Sequence, residues 1–269
     1  VVAFRKSDSA EATISILREL TPMKVFFRLV WDDLKRLFRY RIIYFVMALT
    51  FLFGMSMIFF PGFSTNFLYI SLFILPVIIF SISLFIEREE GTVSHLISPS
   101  TPTLTVVATK ILSATIVELI PFVGFVIGSL LRKDVFSNDI EISYFLLFLA
   151  YVLGVILHIV VGLSLSIIAK SSRILSLSYL AYIVVFSISP ILYSNGIIPE
   201  GAQYWLIISP AFLSGVLIDT ILSQALSPQI WLLILSVGLQ IGYTVLLIGV
   251  VVVPYFKQFV IYTDSAPQK

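Results

Sequence analysis

Six apolar stretches, near residues 42–60, 67–86, 104–131, 144–169, 174–194 and 230–253, leave this chain few folds to choose from. Most reach the ~20 residues a helix needs to cross a hydrocarbon layer ~30 Å thick, and the third and fourth are long enough to tilt or to extend beyond it. The expected fold class is all-α, a polytopic membrane protein with six transmembrane helices. Composition agrees: 59% apolar and 12% charged residues give too little polar surface to cover a water-soluble globule of 269 residues. A net charge of +2 provides no global basic field for nucleic acid. The absence of Cys excludes disulfide frameworks and Cys-based metal sites or nucleophiles.

Residues 1–41 are the most polar stretch and read as a basic, partly amphipathic cytoplasmic segment rather than a cleavable signal. Thr21-Pro22 suits a helix start, with Thr as N-cap and Pro where its missing N–H costs nothing. Phe26, Leu29, Val30, Leu34, Leu37 and Phe38 then recur at helical spacing. Asp32, Asp33, Lys35, Arg36 and Arg39 take most of the other face. The pattern predicts a helix lying along the membrane surface with its apolar face toward lipid. The plainer alternative is an amphipathic surface helix packed on protein.

Orientation follows from Lys and Arg in alternate loops. With the N-terminus inside, the inner side holds fourteen: nine in the N-terminal segment, Arg88, Lys170 with Arg173, and Lys257 with Lys269. The outer side holds Arg132 and Lys133, while Lys110 lies in the third span. Both termini are therefore expected in the cytoplasm, with 42–269 as the membrane domain. The outer connection 195–229 is long, apolar and free of Lys and Arg, and Pro199, Gly201, Pro210, Gly215 and Pro228 break it up. It reads as re-entrant or interfacial helices of the outer leaflet before the last span, one starting at Ser209-Pro210 and running through Asp219. No internal repeat between the halves stands out, which argues against a carrier built on inverted repeats.

The connection 87–103 holds the sharpest pattern, Glu87-Arg88-Glu89-Glu90-Gly91-Thr92-Val93-Ser94-His95-Leu96-Ile97-Ser98-Pro99. Gly91 lets the chain leave the second span, and Thr92 can cap a new helix. Val93, Leu96 and Ile97 share a face of that helix, which Pro99 and Pro102 stop. The acidic residues precede its positive end. A short cytoplasmic helix of this kind suits docking to a protein partner; the alternative is a solvated charge run.

Glu87-x-Glu89-x-Gly91-Thr92, followed by Leu96, Pro99 and a further span, resembles the signature of ABC-2 type exporter permeases. The layout is similar too: an elbow helix before the first span, six spans, and a fifth-to-sixth connection in the style of Gly196-x-x-Pro199…Pro210. The resemblance implies a cytoplasmic coupling helix that docks on a nucleotide-binding ATPase subunit, with Glu87, Arg88, Glu89, Glu90, Gly91, Thr92, His95 and Leu96 in the coupling element. It implies an elbow helix carrying Phe26, Leu29, Val30, Leu34 and Arg36, a second permease chain, the same or related, and a plasma-membrane location. Family members often carry more basic residues around the Glu–Gly–Thr core, so Glu90 points to a partner groove with a matching cation.

None of the Gly residues is followed by Lys, so the chain has no P-loop; ATP and Mg belong to the partner, and this chain is expected to be no enzyme and to hold no cofactor or metal of its own. Glu118 and His158 lie at membrane depth, where charge is costly. They could meet each other, or Glu118 could face the substrate pathway; alternatively Glu118 is protonated or near the interface, and His158 is satisfied by a backbone or hydroxyl partner. The pair is the basis of the runner-up function, a proton-coupled secondary transporter, with a non-transporting assembly factor as a third class. Gly124-x-x-x-Gly128 and Gly238-x-x-x-Gly242 permit close helix approach, within one chain by default.

Overall fold

A computed structural model describes residues 22–60, 64–91, 102–131, 143–199, 201, 203–223 and 230–256, and all of their regular structure is helical. In chain order the helices are α1 (Pro22–Arg39), α2 (Ile42–Phe59), α3 (Thr65–Glu89), α4 (Thr103–Leu131), α5 (Tyr144–Ile168), α6 (Ser172–Tyr193), the short α7 (Gln203–Leu206), α8 (Pro210–Ser223) and α9 (Trp231–Phe256). Five of them, α3, α4, α5, α6 and α9, are long and apolar enough to cross a membrane, and a sixth is reached by counting α1 with α2 as one bent unit. The expected membrane-protein class therefore holds.

The helices are ordered around α5, which packs against α3, α4, α6, α8 and α9. Within their most apolar windows α3 and α5 are 72% and 67% buried by protein, against 28% for α6 and 17% for α9, so the last two form the outer wall. Contact between the two central helices is backbone to backbone. A Cβ on Gly162 would sit 3.1 Å from the Val77 carbonyl oxygen and 3.3 Å from that of Pro76, atoms that cannot swing away. Gly124 serves α2 and α4 similarly, because a Cβ there would collide with the Thr50 methyl group. Gly238 and Gly242 have open space instead.

Three of the long helices widen locally into π turns, at Ile70–Ile74, Ile183–Ser187 and Ile248–Val252. A proline follows each within three residues: Pro76, Pro190 and Pro254. Proline lacks an N–H and its ring collides with the carbonyl four residues earlier. Those carbonyls belong to Leu72, Phe186 and Val250, each inside a π turn, so the wider turn absorbs the collision. The Phe186 carbonyl also accepts the hydroxyls of Ser189 at 2.8 Å and Ser209 at 3.2 Å. Pro121 in α4 is accommodated without such a turn.

The helix expected at Ser209-Pro210 exists. Ser209 Oγ accepts the Phe212 N–H at 3.2 Å as a cap, and Pro210 takes the first helical position. Its 14 residues would cover ~21 Å, too short to cross. Ala211, Phe212, Leu213, Leu217 and Ile218 are buried against α5, α6 and α9, which explains an apolar connection without a full span.

The elbow differs from expectation in which face is covered. Helix α1 is bent 68° from α2, through Tyr40 and an Arg41 held in the left-handed region at φ 60. Val30 and Leu37 are buried against protein, with Leu34 packed beside them and α4 as the main neighbour. The expected apolar stripe thus meets the bundle rather than lipid. Phe38, placed on that stripe by spacing, is instead exposed.

Gly162→Val forces two backbones apart and is expected to destabilise the fold by about 1–3 kcal/mol. Thermal unfolding of the purified protein in detergent should show a lowered midpoint for Gly162→Val and an equal or slightly raised one for Gly238→Ala, whose Cβ has open space.

Candidate functional site

The expected coupling connection leaves α3 at Glu89 and re-enters at α4, and its foot is where the charge of the bundle interior gathers. On α1, Val30, Asp33 and Leu37 lie three and four residues apart and therefore share one face. All three are buried. On α3, Glu87 occupies the last turn and is only 1% exposed. On α4, Lys110 and Ser113 sit three residues apart and are both buried.

These side chains form one cluster. Lys110 Nζ donates to Glu87 Oε1 at 2.7 Å and Oε2 at 2.5 Å, and to Asp33 Oδ1. The Ser113 hydroxyl donates to Asp33 Oδ2. Arg36 Nη1 adds an ion pair to Glu87 Oε2 at 3.7 Å from the edge of the site, where Arg36 is partly exposed. Two carboxylates and two cations balance in charge. The three ammonium hydrogens of Lys110 find carboxylate oxygens, which an isolated buried lysine could not tolerate. Three helices distant in sequence are thereby pinned at one point.

Neighbouring contacts extend the node. Arg88 Nη1 donates to the Ala169 carbonyl at 2.8 Å, at the C-terminal end of α5, and its guanidinium lies 4.2 Å from the centre of the Phe85 ring. Ser171 caps the start of α6 through the Ile174 N–H at 3.3 Å. The Tyr40 hydroxyl, in the turn between α1 and α2, donates to Glu90. Gly91 then leaves α3 at φ 69, the left-handed position that glycine adopts without penalty.

Of the residues singled out by sequence, the structure brings Glu87 and Arg36 together and places Arg88, Glu90 and Gly91 around them. Glu87 points inward and touches Lys110, so the carboxylates presented to solvent at this foot are Glu89 and Glu90. Thr92, His95, Leu96 and the helix expected at 92–99 lie outside the described residues. Val30 is buried, and Phe26, Leu29 and Leu34 are half-buried.

Glu118 and His158 do not form a contact. Glu118 is fully buried on α4, where the Tyr151 hydroxyl donates to its backbone carbonyl at 3.1 Å; both carboxylate oxygens lack a partner among the described residues. His158 lies seven residues beyond Tyr151 on α5, ~10 Å along the axis. Its Nδ1 pairs with the Gly154 carbonyl at 2.7 Å, and its ring lies 5.2 Å from Phe73 and 6.1 Å from Tyr182, centre to centre. Backbone pairing of His158, the simpler of the two readings, is what the structure has.

Spacing alone assigned Asp33 to the polar face of α1 and set Lys110 aside as a span residue. The missed signal was positional: Asp33 falls in register with Val30 and Leu37, and a lysine within an apolar span demands a carboxylate at the same depth.

No family model, no curated protein and no solved structure matches this chain.

Lys110→Met leaves Asp33 and Glu87 buried without their cation, and is expected to destabilise the fold by about 3–5 kcal/mol. The triple variant Asp33→Leu, Glu87→Leu, Lys110→Met, which removes all three buried charges without leaving polar groups in their place, should recover most of that loss. Midpoints of thermal unfolding for the single and triple variants in the same detergent check the difference.

Proposed function

We propose that this chain is the membrane subunit of an ATP-driven exporter of the ABC-2 type, working with a separate nucleotide-binding ATPase and a second permease chain. The observation that carries this reading is the buried cluster at the foot of the connection between α3 and α4. A cytoplasmic element driven by a partner is useful only if its displacement reaches the helices, and here its two roots are joined through Lys110 and Glu87. Asp33 and Arg36 bring the elbow into the same body, and Arg88 ties in the junction of α5 and α6.

In this reading ATP binding draws two partner subunits together and moves the connections docked on them. The force enters α3 and α4 at charges that cannot separate without leaving a buried ion unpaired. The cytoplasmic ends move as a unit, and the π turns in α3, α6 and α9 are the points where their distal halves can adjust. Two permease chains then open a central path outward, an alternating-access cycle driven by nucleotide binding. The cargo class that fits a chain whose outer connections form no large polar domain is an amphiphilic small molecule or a lipid. The location is the plasma membrane, with both termini in the cytoplasm.

One observation favours the runner-up, a proton-coupled carrier: the fully buried Glu118 carboxyl has no partner among the described residues. Transport that persists without ATP and collapses with the proton gradient would select that reading.

The direct test is capture of the partner. A tagged chain purified from its native membrane in mild detergent should retain a nucleotide hydrolase, and Glu89→Lys, at an exposed position, should weaken its retention while leaving the thermal midpoint within about a degree of the unaltered chain. Absence of any hydrolase from the unaltered chain would overturn the assignment.

Sidedness has its own test, simplified by the absence of Cys. A single Ser98→Cys should react with a membrane-impermeant maleimide only after the membrane is opened. Labelling of intact cells would place the connection on the wrong side for an ATPase.

A further inference from the structure

The face of α1 turned away from the bundle is two-natured. Met23, Phe27, Trp31 and Phe38 stand exposed on it, between about half and seven-tenths open. Interleaved with them are the exposed cations Lys24, Arg28, Lys35 and Arg39. Asp32 offsets part of this charge through Arg28 at 4.0 Å and Lys35 at 3.8 Å, which leaves four cations to one carboxylate. Lys35 Nζ also lies 5.6 Å from the centre of the Trp31 ring, an arrangement in which an amphipathic ring and a long cationic chain share one interface.

Position says what meets this face. Helix α1 is joined to α2 by the two-residue turn Tyr40–Arg41 and runs 68° away from it. With α2 standing across the membrane, a helix inclined 68° to it runs close to the membrane plane. Its opposite side is already occupied, since Asp33 and Leu37 are buried against the bundle. Exposed rings with alternating cations match a surface that is apolar below and negatively charged above.

We propose that the outward face of α1 is a binding surface for anionic phospholipid, holding headgroup phosphates with Lys24, Arg28, Lys35 and Arg39 and sinking Phe27 and Trp31 among the acyl chains. The surface backs directly onto the ion cluster, because Asp33 and Arg36 belong to the same helix as the lipid-facing cations. Membrane charge would thus be felt one helix diameter from the foot of the α3–α4 connection. The proposal needs α1 at the membrane surface and does not depend on what the protein transports.

Trp31 supplies the readout. The full chain carrying Trp205→Phe and Trp231→Phe keeps Trp31 as its sole indole. It is reconstituted in nanodiscs of phosphatidylcholine and phosphatidylglycerol, with bromine on the chains of one lipid or the other at equal mole fraction. Brominated phosphatidylglycerol is expected to quench Trp31 at least about twofold more strongly than brominated phosphatidylcholine. The preference should shrink in high salt and vanish in the variant Lys24→Gln, Arg28→Gln, Lys35→Gln, Arg39→Gln. Equal quenching by the two lipids would overturn the proposal, as would quenching by aqueous iodide in place of lipid bromine, the outcome expected of a face presented to water or awaiting an acidic protein. The salt titration uses the natural cations, so the test stands even if the fourfold variant fails to fold.

Discussion

An ammonium group inside an apolar bundle is stable only while carboxylates surround it, and Lys110 meets that condition with Asp33 and Glu87 from two other helices. Desolvating such charges is costly, and their mutual attraction offsets the cost only when geometry and hydrogen bonds are complete. A hydrophobic contact in the same place would tolerate sliding by a side-chain width. The ion cluster does not, and it fixes α1, the end of α3 and the start of α4 in one arrangement. The Arg88 bond to the end of α5 and the Tyr40 bond to Glu90 both hang on the positions this node sets.

Away from that end the bundle is held differently. Packing at the α3–α5 axis relies on the missing side chain of Gly162 and on closely fitted aromatic residues such as Phe73, Tyr69 and Tyr151, all buried. The outer helices α6 and α9 contribute little burial to their own stability and present broad apolar surfaces. Such surfaces are compatible with lipid, and the structure combines a rigid charged base, a tight central pair and a looser wall.

Much of this fold was legible because lipid imposes a simple rule on length and composition. The apolar runs mark the helices to within a few residues, and Ser209-Pro210 marks the start of α8 through its capping chemistry. What spacing could not decide was which neighbour each face would meet. The stripe through Val30 and Leu37 identifies an amphipathic helix but does not distinguish lipid from protein, since both are apolar. Asp33 was misread for a related reason: a carboxylate on an apolar stripe looks like an error until its cation, 77 residues later, is known. Glu118 and His158 were judged by depth alone, and depth does not give the rotation of a helix about its axis. The prolines carried a signal that was readable in principle, since Pro76, Pro190 and Pro254 each force a carbonyl out of register within the preceding turn.

Those π turns have an implication beyond relief of a collision. Each amounts to one surplus residue wound into a helix, so everything downstream is rotated in phase by roughly a quarter turn relative to an unbroken α-helix. Deleting that residue would leave the helix continuous yet point a different set of side chains inward. In α3 the phase set at Ile70–Ile74 is what delivers Glu87, thirteen residues further on, to Lys110. The register of the apolar interior and the chemistry at the charged end of the bundle are thus locked by a single extra peptide unit.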